Sequence, residues 1–314
     1  MADISPASSH AIETVALTRR FGALDAISGL NLRVPTGSIF ALIGPNGAGK
    51  TTTLKILVNL LRPTAGSAHV LGTDTRRIGP SLLQRIGYVS ENQRLPDWMN
   101  ADQLFAYCRP LYPTWDGALC QRLRGDLRLS SNVRLRDLSR GTRMKAALLA
   151  SVAYRPELVL LDEPFSGLDP LARDELADVL LLMASEHPLT CLVASHDIDE
   201  IERLTTWVGY IDQGRLLFSE PVASLLKRHR LIEVGTPGGP LIQRPTQAGW
   251  LVQGTAEGVL RFIDAHHDAP DAMELIEAAY PGVSVRTSPL SLREIFVAMA
   301  RETARAEAMA GVTR

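Results

Sequence analysis

The sequence predicts an α/β fold with a mixed, mostly parallel sheet, and three apolar stretches predict it. Residues 39–43, 158–161 and 189–195 form nearly uninterrupted apolar runs. Such runs are typical of parallel strands that are buried on both faces. Helical periodicity follows the first run, and a helix start signal at Asp169 and Pro170 follows the second. Strands that alternate with helices in this way indicate a sheet covered by crossover helices.

A glycine-rich segment joins the first of these strands to its helix. Residues 44–52 satisfy the pattern of glycine, four residues, glycine, lysine and threonine. The glycines let the backbone wrap closely around a polyphosphate, and the start of the helix presents N–H groups to it. Glycine-rich turns also occur for packing alone, but here every fixed position is filled and the flanks are a strand and a helix. The sequence therefore predicts a P-loop NTPase whose phosphate contacts are Gly44, Pro45, Asn46, Gly47, Ala48, Gly49, Lys50, Thr51 and Thr52.

Charged and hydroxyl side chains in the glycine-rich segment and after the run 158–161 would supply the groups for phosphate binding, magnesium binding and hydrolysis. Lys50 would place a full positive charge on the β- and γ-phosphates, and Thr51 would ligate Mg²⁺ through its hydroxyl. Asp162 and Glu163 follow the run 158–161, at the carboxyl end of a strand, where ligands bind in open α/β sheets. We expect Asp162 to hold Mg²⁺ and Glu163 to deprotonate the attacking water. Without the phosphate loop, two solvated acids at a strand end would be the better interpretation.

The N-terminal part of the chain predicts an antiparallel flap beside the nucleotide. Residues 10–17 and 30–34 alternate apolar and polar side chains as strands do, and residues 25–29 are interpreted as a connection. Phe21 falls in the turn between them. Its ring could stack on a nucleobase or pack in the core, since an aromatic face suits both roles.

Residues 95–155 show helical periodicity, which predicts a largely helical subdomain inserted into the nucleotide domain. Pro110 and Pro113 interrupt this periodicity, so we expect several helices in place of one. Ser139 is a good N-cap and Gly141 leaves the helix start uncrowded, so this start is suited to an anion. Taken alone, it is an ordinary capped helix.

His196 follows the run 189–195 directly, and at that sheet edge it could donate a hydrogen bond to a γ-phosphate, although a lone histidine is usually structural.

Length and composition bound the remaining possibilities. A chain of 314 residues predicts about two units, which we place at 1–230 and 231–314, with a turn or linker at 235–240. The second unit is expected to be a small α+β appendage of unstated function. The net charge of −1 provides no basic field, so no nucleic-acid partner is expected. No apolar run approaches the ~20 residues of a membrane span and no secretion signal is visible, which predicts a cytosolic protein.

In this order and spacing, the phosphate loop, residues 138–142, residues 162–163, residues 166–169 and His196 resemble the ATP-binding subunit of an ABC transporter. The resemblance covers about residues 10–225. It implies that two such subunits, identical or different, pair head to tail and bind ATP and Mg²⁺ between them. The pair would drive a separate transmembrane permease from the cytoplasmic face of the membrane. The implied roles are Phe21 as adenine stacker, Lys50, Thr51, Thr52 and Asp162 as nucleotide and Mg²⁺ ligands, Glu163 as general base, His196 as γ-phosphate contact, Ser139, Gly141 and Thr142 as contacts to the partner's nucleotide, and Asp169 as communicator between subunits.

Two motifs depart from those of the family. The signature that usually reads Leu-Ser-Gly-Gly-Gln has Arg140 and Thr142 in place of its first glycine and its glutamine. Glu91 occupies the position of a glutamine in the loop before the helical subdomain. A carboxylate can ligate Mg²⁺ and contact the nucleotide as an amide oxygen can, but it adds negative charge beside the γ-phosphate. Either Glu91 or Gln93 could fill this role.

Further features bear on the partner and on alternative functions. Trp98 offers an aromatic anchor to a helix of the permease. Residues 288–296 resemble the C-terminus of subunits that serve ABC-2 type exporters, which favours export. The main alternative is a soluble ABC-type ATPase that acts on nucleic acid or ribosomes, but the coiled coil, zinc module or second ATPase domain of such proteins is not visible. A regulatory protein without turnover is disfavoured because Lys50, Asp162 and Glu163 are intact.

Overall fold

The computed structural model describes residues 9–235, 247, 249–256 and 258–311. The chain divides into two compact units between Ser219 and Glu220, whereas the boundary that the sequence suggests falls after residue 230. Most of the expected linker, residues 236–240, lies outside the described residues. None of the helices in the described part is both long and apolar enough to cross a membrane.

The first unit consists of two sheets and the helices that follow their strands. Its strands are β1 (His10–Phe21), β2 (Leu24–Leu30), β3 (Arg33–Pro35), β4 (Ile39–Ile43), β5 (Ala65–Val70), β6 (Thr73–Asp74), β7 (Ile86–Val89), β8 (Leu158–Asp162), β9 (Thr190–Ser195), β10 (Trp207–Asp212) and β11 (Arg215–Pro221). Its helices are α1 (Lys50–Leu57), α2 (Pro80–Leu83), α3 (Ala101–Cys108), α4 (Gly117–Asp126), α5 (Arg140–Val152) and α6 (Pro170–Glu186).

The larger sheet has the strand order β11-β10-β4-β9-β8-β7. The pairs from β10 to β7 are all parallel, which confirms the predicted mostly parallel sheet. Every residue of β4, β8 and β9 is buried. Strands covered on both faces need apolar side chains at consecutive positions, which explains the uninterrupted runs in the sequence.

The smaller sheet is antiparallel, with the order β2-β1-β5-β6 and β3 paired to β1. One prediction here is wrong, because residues 25–29 are not a connection but most of strand β2. The register between β1 and β2 shifts twice. Leu17 lies opposite Leu30, the first shift brings Arg19 opposite Ile27, and the second brings Arg20 opposite Asp25. Such irregularities interrupt the alternation of apolar and polar side chains by which a strand is recognised. Phe21 is accordingly the last residue of β1, not a turn residue.

The helical segment contains α3, α4 and the start of α5, each with a side chain that caps its first turn. Asn100 and Gln103 form a capping box on α3, and Asp116 accepts a hydrogen bond from Leu119 N on α4. Ser139 caps α5 as the sequence predicts. The predicted start of α6 is also confirmed, since the Asp169 side chain accepts from Ala172 N and Pro170 is the first helical residue.

The second unit has its own antiparallel sheet, in the order β13-β14-β12-β15. Its elements are α7 (Val222–Arg228), β12 (Arg230–Gly235), β13 (Trp250–Ala256), β14 (Val259–Asp264), α8 (Ala272–Ala279), β15 (Val285–Ser288) and α9 (Leu292–Gly311). Ile232, Val234, Leu260, Phe262 and Ile276 form a core cluster. The strands β12 and β14 are only partly apolar and partly buried, and neither was predicted from the sequence.

Candidate nucleotide site

Three neighbouring parallel strands end together at one edge of the larger sheet. Ile43 of β4 lies opposite Ser195 of β9, and Asp162 of β8 lies opposite Ala194 of β9. The backbone N–H of Gly44 also donates to the Ser195 carbonyl at 3.3 Å. This register places the glycine-rich loop, the two acids and His196 side by side, as the sequence predicts for the carboxyl edge of the sheet.

The glycine-rich loop is shaped by close backbone approaches. Gly47 and Gly49 have φ values of 84° and 105°, a region that disfavours other residues. A Cβ atom on Gly49 would lie 2.5 Å from the Ala26 carbonyl oxygen, and one on Gly44 would lie 2.0 Å from that of Ile211. The loop between β4 and α1 therefore needs glycine both for its conformation and for its packing against neighbouring backbone.

Lys50 is buried at the first residue of α1, with 5% of its surface exposed. Its ammonium group donates to the carbonyl oxygens of Gly44 and Pro45 at 2.7 and 3.1 Å. The Glu163 carboxylate lies 3.3 Å away. A buried cation must be paired, and here the loop's own carbonyls and one acid perform that function.

Thr51 and Asp162 are joined by a hydrogen bond of 2.9 Å from Thr51 Oγ1 to Asp162 Oδ1. Asp162 is buried, and burial raises the pKa of its carboxyl group, an effect opposed by the Thr51 hydrogen bond and reinforced by the negative charges of Glu163 and Glu91. A hydroxyl and carboxylates are hard oxygen donors of the kind that Mg²⁺ prefers. The residues present thus fit a magnesium nucleotide.

Glu163 adopts a left-handed conformation, with φ of 50°, which is unusual for this residue type. Its N–H donates to the Ala194 carbonyl at 2.9 Å, which anchors the turn to β9. One carboxylate oxygen, Oε2, lies 2.8 Å from His196 Nδ1 and 3.3 Å from His196 N, while the other faces Lys50. The structure therefore joins buried Lys50 and Glu163 to the partly exposed His196 in one chain of polar contacts.

A second group of predicted residues surrounds the start of α5. Ser139 Oγ accepts from Thr142 N at 3.1 Å and lies 2.9 Å from the Thr142 hydroxyl. A Cβ atom on Gly141 would lie 3.3 Å from Ala172 Cβ and 4.0 Å from an Asp169 carboxylate oxygen. The starts of α5 and α6 therefore pack together, and Gly141 is the residue that allows it.

Phe21 is 43% exposed, so its ring is not part of the core. The guanidinium carbon of Arg19 lies 4.4 Å from the centre of the ring, a distance at which a cation is attracted to the aromatic face. The aromatic ring at the end of β1 is thus available for a further stacking partner.

Glu91 and Gln93, both in the loop after β7, make different contacts. The Gln93 side-chain oxygen accepts the N–H of Ser90 at 3.0 Å, which commits it to the loop itself. Glu91 instead pairs with Arg140, whose Nη2 lies 3.5 Å from Glu91 Oε1. Both substitutions are visible in the sequence, but their contact is not. The opposite charges of the two unusual residues were the signal that could have revealed it.

The hydroxyl of Tyr88, on β7, is a buried polar group that the sequence does not reveal. Burial, and then the charge of Asp162, raise the pKa of its hydroxyl to about 12. This hydroxyl is buried and has no hydrogen-bond partner among the described residues. A tyrosine at this strand position is indistinguishable in the sequence from an ordinary core residue.

A cavity of about 810 Å³ lies between the loop after β7 and the first turns of α5. Its lining includes Glu91, Leu95, Arg140 and Met144. Trp98 follows this loop in the chain, and 66% of its surface is exposed. A large exposed aromatic next to an open cavity is typical of a protein interface.

Comparison with known proteins gives consistent results. A model of the ABC transporter family matches residues 27–166. The bacitracin transport ATP-binding protein BcrA of Enterococcus faecalis is 31% identical over 70% of this chain and 72% of its own. The daunorubicin/doxorubicin resistance ATP-binding protein DrrA of Streptomyces peucetius is 31% identical over 67% and 64% of the two chains. The Nod factor export ATP-binding protein I of Cupriavidus pinatubonensis is 35% identical over 67% and 66%.

Solved structures show the same fold. An ATP-binding subunit of an ABC transporter is similar with a TM-score of 0.62 and 23% identity, covering 69% of this chain and 92% of its own. A dimeric ATP-binding cassette in a post-hydrolysis state with ADP and phosphate is similar with a TM-score of 0.59 and 21% identity, covering 67% and 98%. The similarity includes most of the first unit's length.

Proposed function

The chain belongs to the family of ABC transporter ATP-binding proteins, and we propose that it drives export through a separate transmembrane permease by closing onto a second ATP-binding subunit. As a member of this family it is an ATP-binding and ATP-hydrolysing subunit of a transporter. The observation that best supports a working ATPase is the convergence of the phosphate loop, Asp162, Glu163 and His196 at one sheet edge. The transport relatives favour this function over action on nucleic acid or ribosomes.

Nucleotide binding would use interactions that the loop already makes with itself. Lys50 holds two loop carbonyls and Glu163, and these contacts keep its charge at the loop until phosphate oxygens replace them. Thr51 and Asp162 would hold Mg²⁺, which neutralises charge on the triphosphate. The exposed face of Phe21 would stack on the adenine.

Hydrolysis would depend on Glu163 as the general base. His196 holds one carboxylate oxygen of Glu163, and the other oxygen, which faces Lys50, can accept a proton from a water molecule once phosphate oxygens take over the lysine. His196 remains 41% exposed at the side chain, which leaves it accessible to a bound γ-phosphate. Gln93 has its amide oxygen engaged, and Glu91 is therefore our choice for the residue that senses the nucleotide from the loop after β7.

The second subunit would complete the site. We infer that Ser139, Gly141 and Thr142 face the nucleotide of the partner, with the positive end of α5 directed at its phosphates. The close packing of Gly141 against the start of α6 supports a role for Asp169 in reporting occupancy between the subunits. Because each site would need both chains, loss of the γ-phosphate would open the dimer.

The permease would dock at the cavity between the loop after β7 and α5, which places the chain peripherally at the cytoplasmic face of the membrane. Names of relatives that refer to bacitracin transport, drug resistance and Nod factor export support an exporter. These cargoes differ widely, as expected if the permease selects the cargo.

Trp98→Ala is expected to release the permease while sparing nucleotide binding, because an exposed aromatic anchor contributes to an interface without supporting the core. The measurement is co-purification of the membrane subunit with the tagged chain, beside binding of a fluorescent ATP analogue. Leu60→Ala is the control, since Leu60 is 62% exposed, follows α1 in the chain and does not line this cavity. Unchanged co-purification of the Trp98→Ala variant would refute the docking site.

Affinity capture from detergent-solubilised membranes, followed by mass spectrometry, tests the proposed function as a whole. We expect a polytopic membrane protein to be captured with the chain and to stimulate its ATP hydrolysis. Recovery of ribosomal proteins or nucleic acid in its place would support the alternative function.

A further inference from the structure

Two loops leave neighbouring parallel strands at the edge of the larger sheet. The Glu163 loop, residues 163–169, leads from β8 to α6, and the His196 loop, residues 196–200, follows β9. Near the sheet, the Glu163 carboxylate contacts both Nδ1 and the backbone N–H of His196. A second contact at the other ends of the two loops would fix their relative position.

Arg173 and Glu200 provide this second contact. Arg173 Nη2 lies 3.1 Å from Glu200 Oε1, in the His196 loop. Arg173 Nε donates to the Leu168 carbonyl oxygen at 3.0 Å, so the same guanidinium also holds the Glu163 loop. Arg173 lies in the first turn of α6, where its own N–H donates to the Asp169 carbonyl oxygen at 3.1 Å. One side chain thus joins both loops to the start of a helix.

The pair between Arg173 and Glu200 is largely shielded from solvent. Only 4% of the Glu200 side chain is exposed, and 34% of the Arg173 side chain. The second carboxylate oxygen, Glu200 Oε2, lies 3.4 Å from Ser195 Oγ at the end of β9, so both oxygens have a polar neighbour. Separating a buried carboxylate from such partners leaves an uncompensated charge in the interior, which strongly disfavours separation. The pair therefore holds the two loops at a defined spacing.

A second arginine links the segment after β9 to α6 at the surface. Arg203 Nη2 lies 3.2 Å from Asp174 Oδ1 and 3.5 Å from Asp178 Oδ1, and both acids belong to α6. All three side chains are about half exposed or more. Solvent screens such pairs, and they contribute little to stability. The surface pairs of Arg203 thus provide a comparison for the buried pair of Arg173.

We propose that Arg173 is a positioning residue for ATP hydrolysis, whose ion pair with Glu200 holds the His196 loop against the Glu163 loop and so keeps His196 on the Glu163 carboxylate. This inference rests on the proposed function, because it requires Glu163 as the base and His196 as the γ-phosphate contact. A displacement of about 1 Å at reacting groups can slow a reaction about 10²-fold. Loss of the pair should therefore reduce turnover, whereas nucleotide affinity, which depends on residues 44–52, should remain.

The test combines hydrolysis at saturating ATP with equilibrium binding of a fluorescent, non-hydrolysable ATP analogue, at a temperature where melting curves show every variant to be folded. Arg173→Gln is expected to slow hydrolysis about 10- to 100-fold and to leave the affinity for the analogue unchanged. This variant also leaves the Glu200 carboxylate buried without its cation, which lowers stability. The deciding variant therefore combines Arg173→Gln with Glu200→Gln, which removes both charges, and we expect the same loss of turnover from it. Arg173→Lys keeps the charge but not the fork of donors, so its rate should lie between those of Arg173→Gln and the wild type.

A double-mutant cycle with His196 separates positioning from a general loss of structure. In the His196→Ala background, Arg173→Gln is expected to change the hydrolysis rate by less than about twofold, because the side chain that it positions is no longer there. A merely structural role would produce the same fold-loss in both backgrounds.

Arg203→Gln is the matched control, because it breaks the exposed pairs between the same two parts of the chain, and we expect wild-type turnover from it. Undiminished turnover in the combined Arg173→Gln and Glu200→Gln variant would overturn the proposal. So would an equal loss in the His196→Ala background, or a comparable loss in the Arg203→Gln variant. Full activity of the combined variant beside an impaired His196→Ala variant refutes this inference alone, whereas a fully active His196→Ala variant refutes the proposed role of His196 as well.

Discussion

Glu163→Gln is expected to reduce ATP turnover by about 10²- to 10⁴-fold while ATP binding is retained. The amide cannot accept a proton from water, and general base catalysis contributes a factor of that size. Glutamine has the same shape and keeps an oxygen for the hydrogen bond to His196. The measurement is phosphate release at saturating ATP, beside equilibrium binding of a fluorescent ATP analogue.

Glu157→Gln is the control for this experiment, because Glu157 immediately precedes β8 at the end opposite Glu163. Its carboxylate is half exposed and pairs with Arg85, and such pairs contribute little to stability. We expect wild-type turnover from this variant. Near-normal hydrolysis by the Glu163→Gln variant would exclude Glu163 as the base.

Lys50→Met is expected to weaken ATP binding by roughly 10- to 150-fold, the range that charge-assisted hydrogen bonds of about 1.5–3 kcal/mol represent. Methionine fills a similar volume but leaves the phosphates without the ammonium group. It also leaves the buried Glu163 carboxylate without its cation, so the free energy of unfolding should fall. Equilibrium binding and thermal unfolding measure the two effects.

Lys227→Met controls for the general loss of a lysine, since Lys227 lies in the last turn of α7 in the second unit. Its ATP affinity should equal that of the wild type. If the Lys50→Met variant, shown to be folded by its melting curve, bound ATP with unchanged affinity, then residues 44–52 would not be the phosphate site.

Much of the first unit follows from short-range patterns. The runs that became β4, β8 and β9 are buried at every position and almost entirely apolar, because both of their faces are covered. The starts of α5 and α6 were predictable because capping depends on residues within one helical turn. Strand β2 was missed because the irregular register of β1 and β2 disrupts the alternation that marks a strand.

The second unit was less predictable from its sequence. Strands β12 and β14 pair with each other over their full length, yet their side chains are only partly apolar. Their conformation depends on partners far along the chain, and neither strand forms a convincing pattern by itself.

The sequence by itself determined which chemical groups this protein carries: a glycine loop ending in Lys50, acids after a buried strand and capped helix starts. Each is encoded by residues within a few positions of one another, where backbone geometry and hydrogen bonding act directly. Only the tertiary structure decided their partners: Lys50 with Glu163, Glu163 with His196, and Arg140 with Glu91. These contacts depend on the order of strands in the sheet, with β9 between β4 and β8, which the free energy of the whole chain selects.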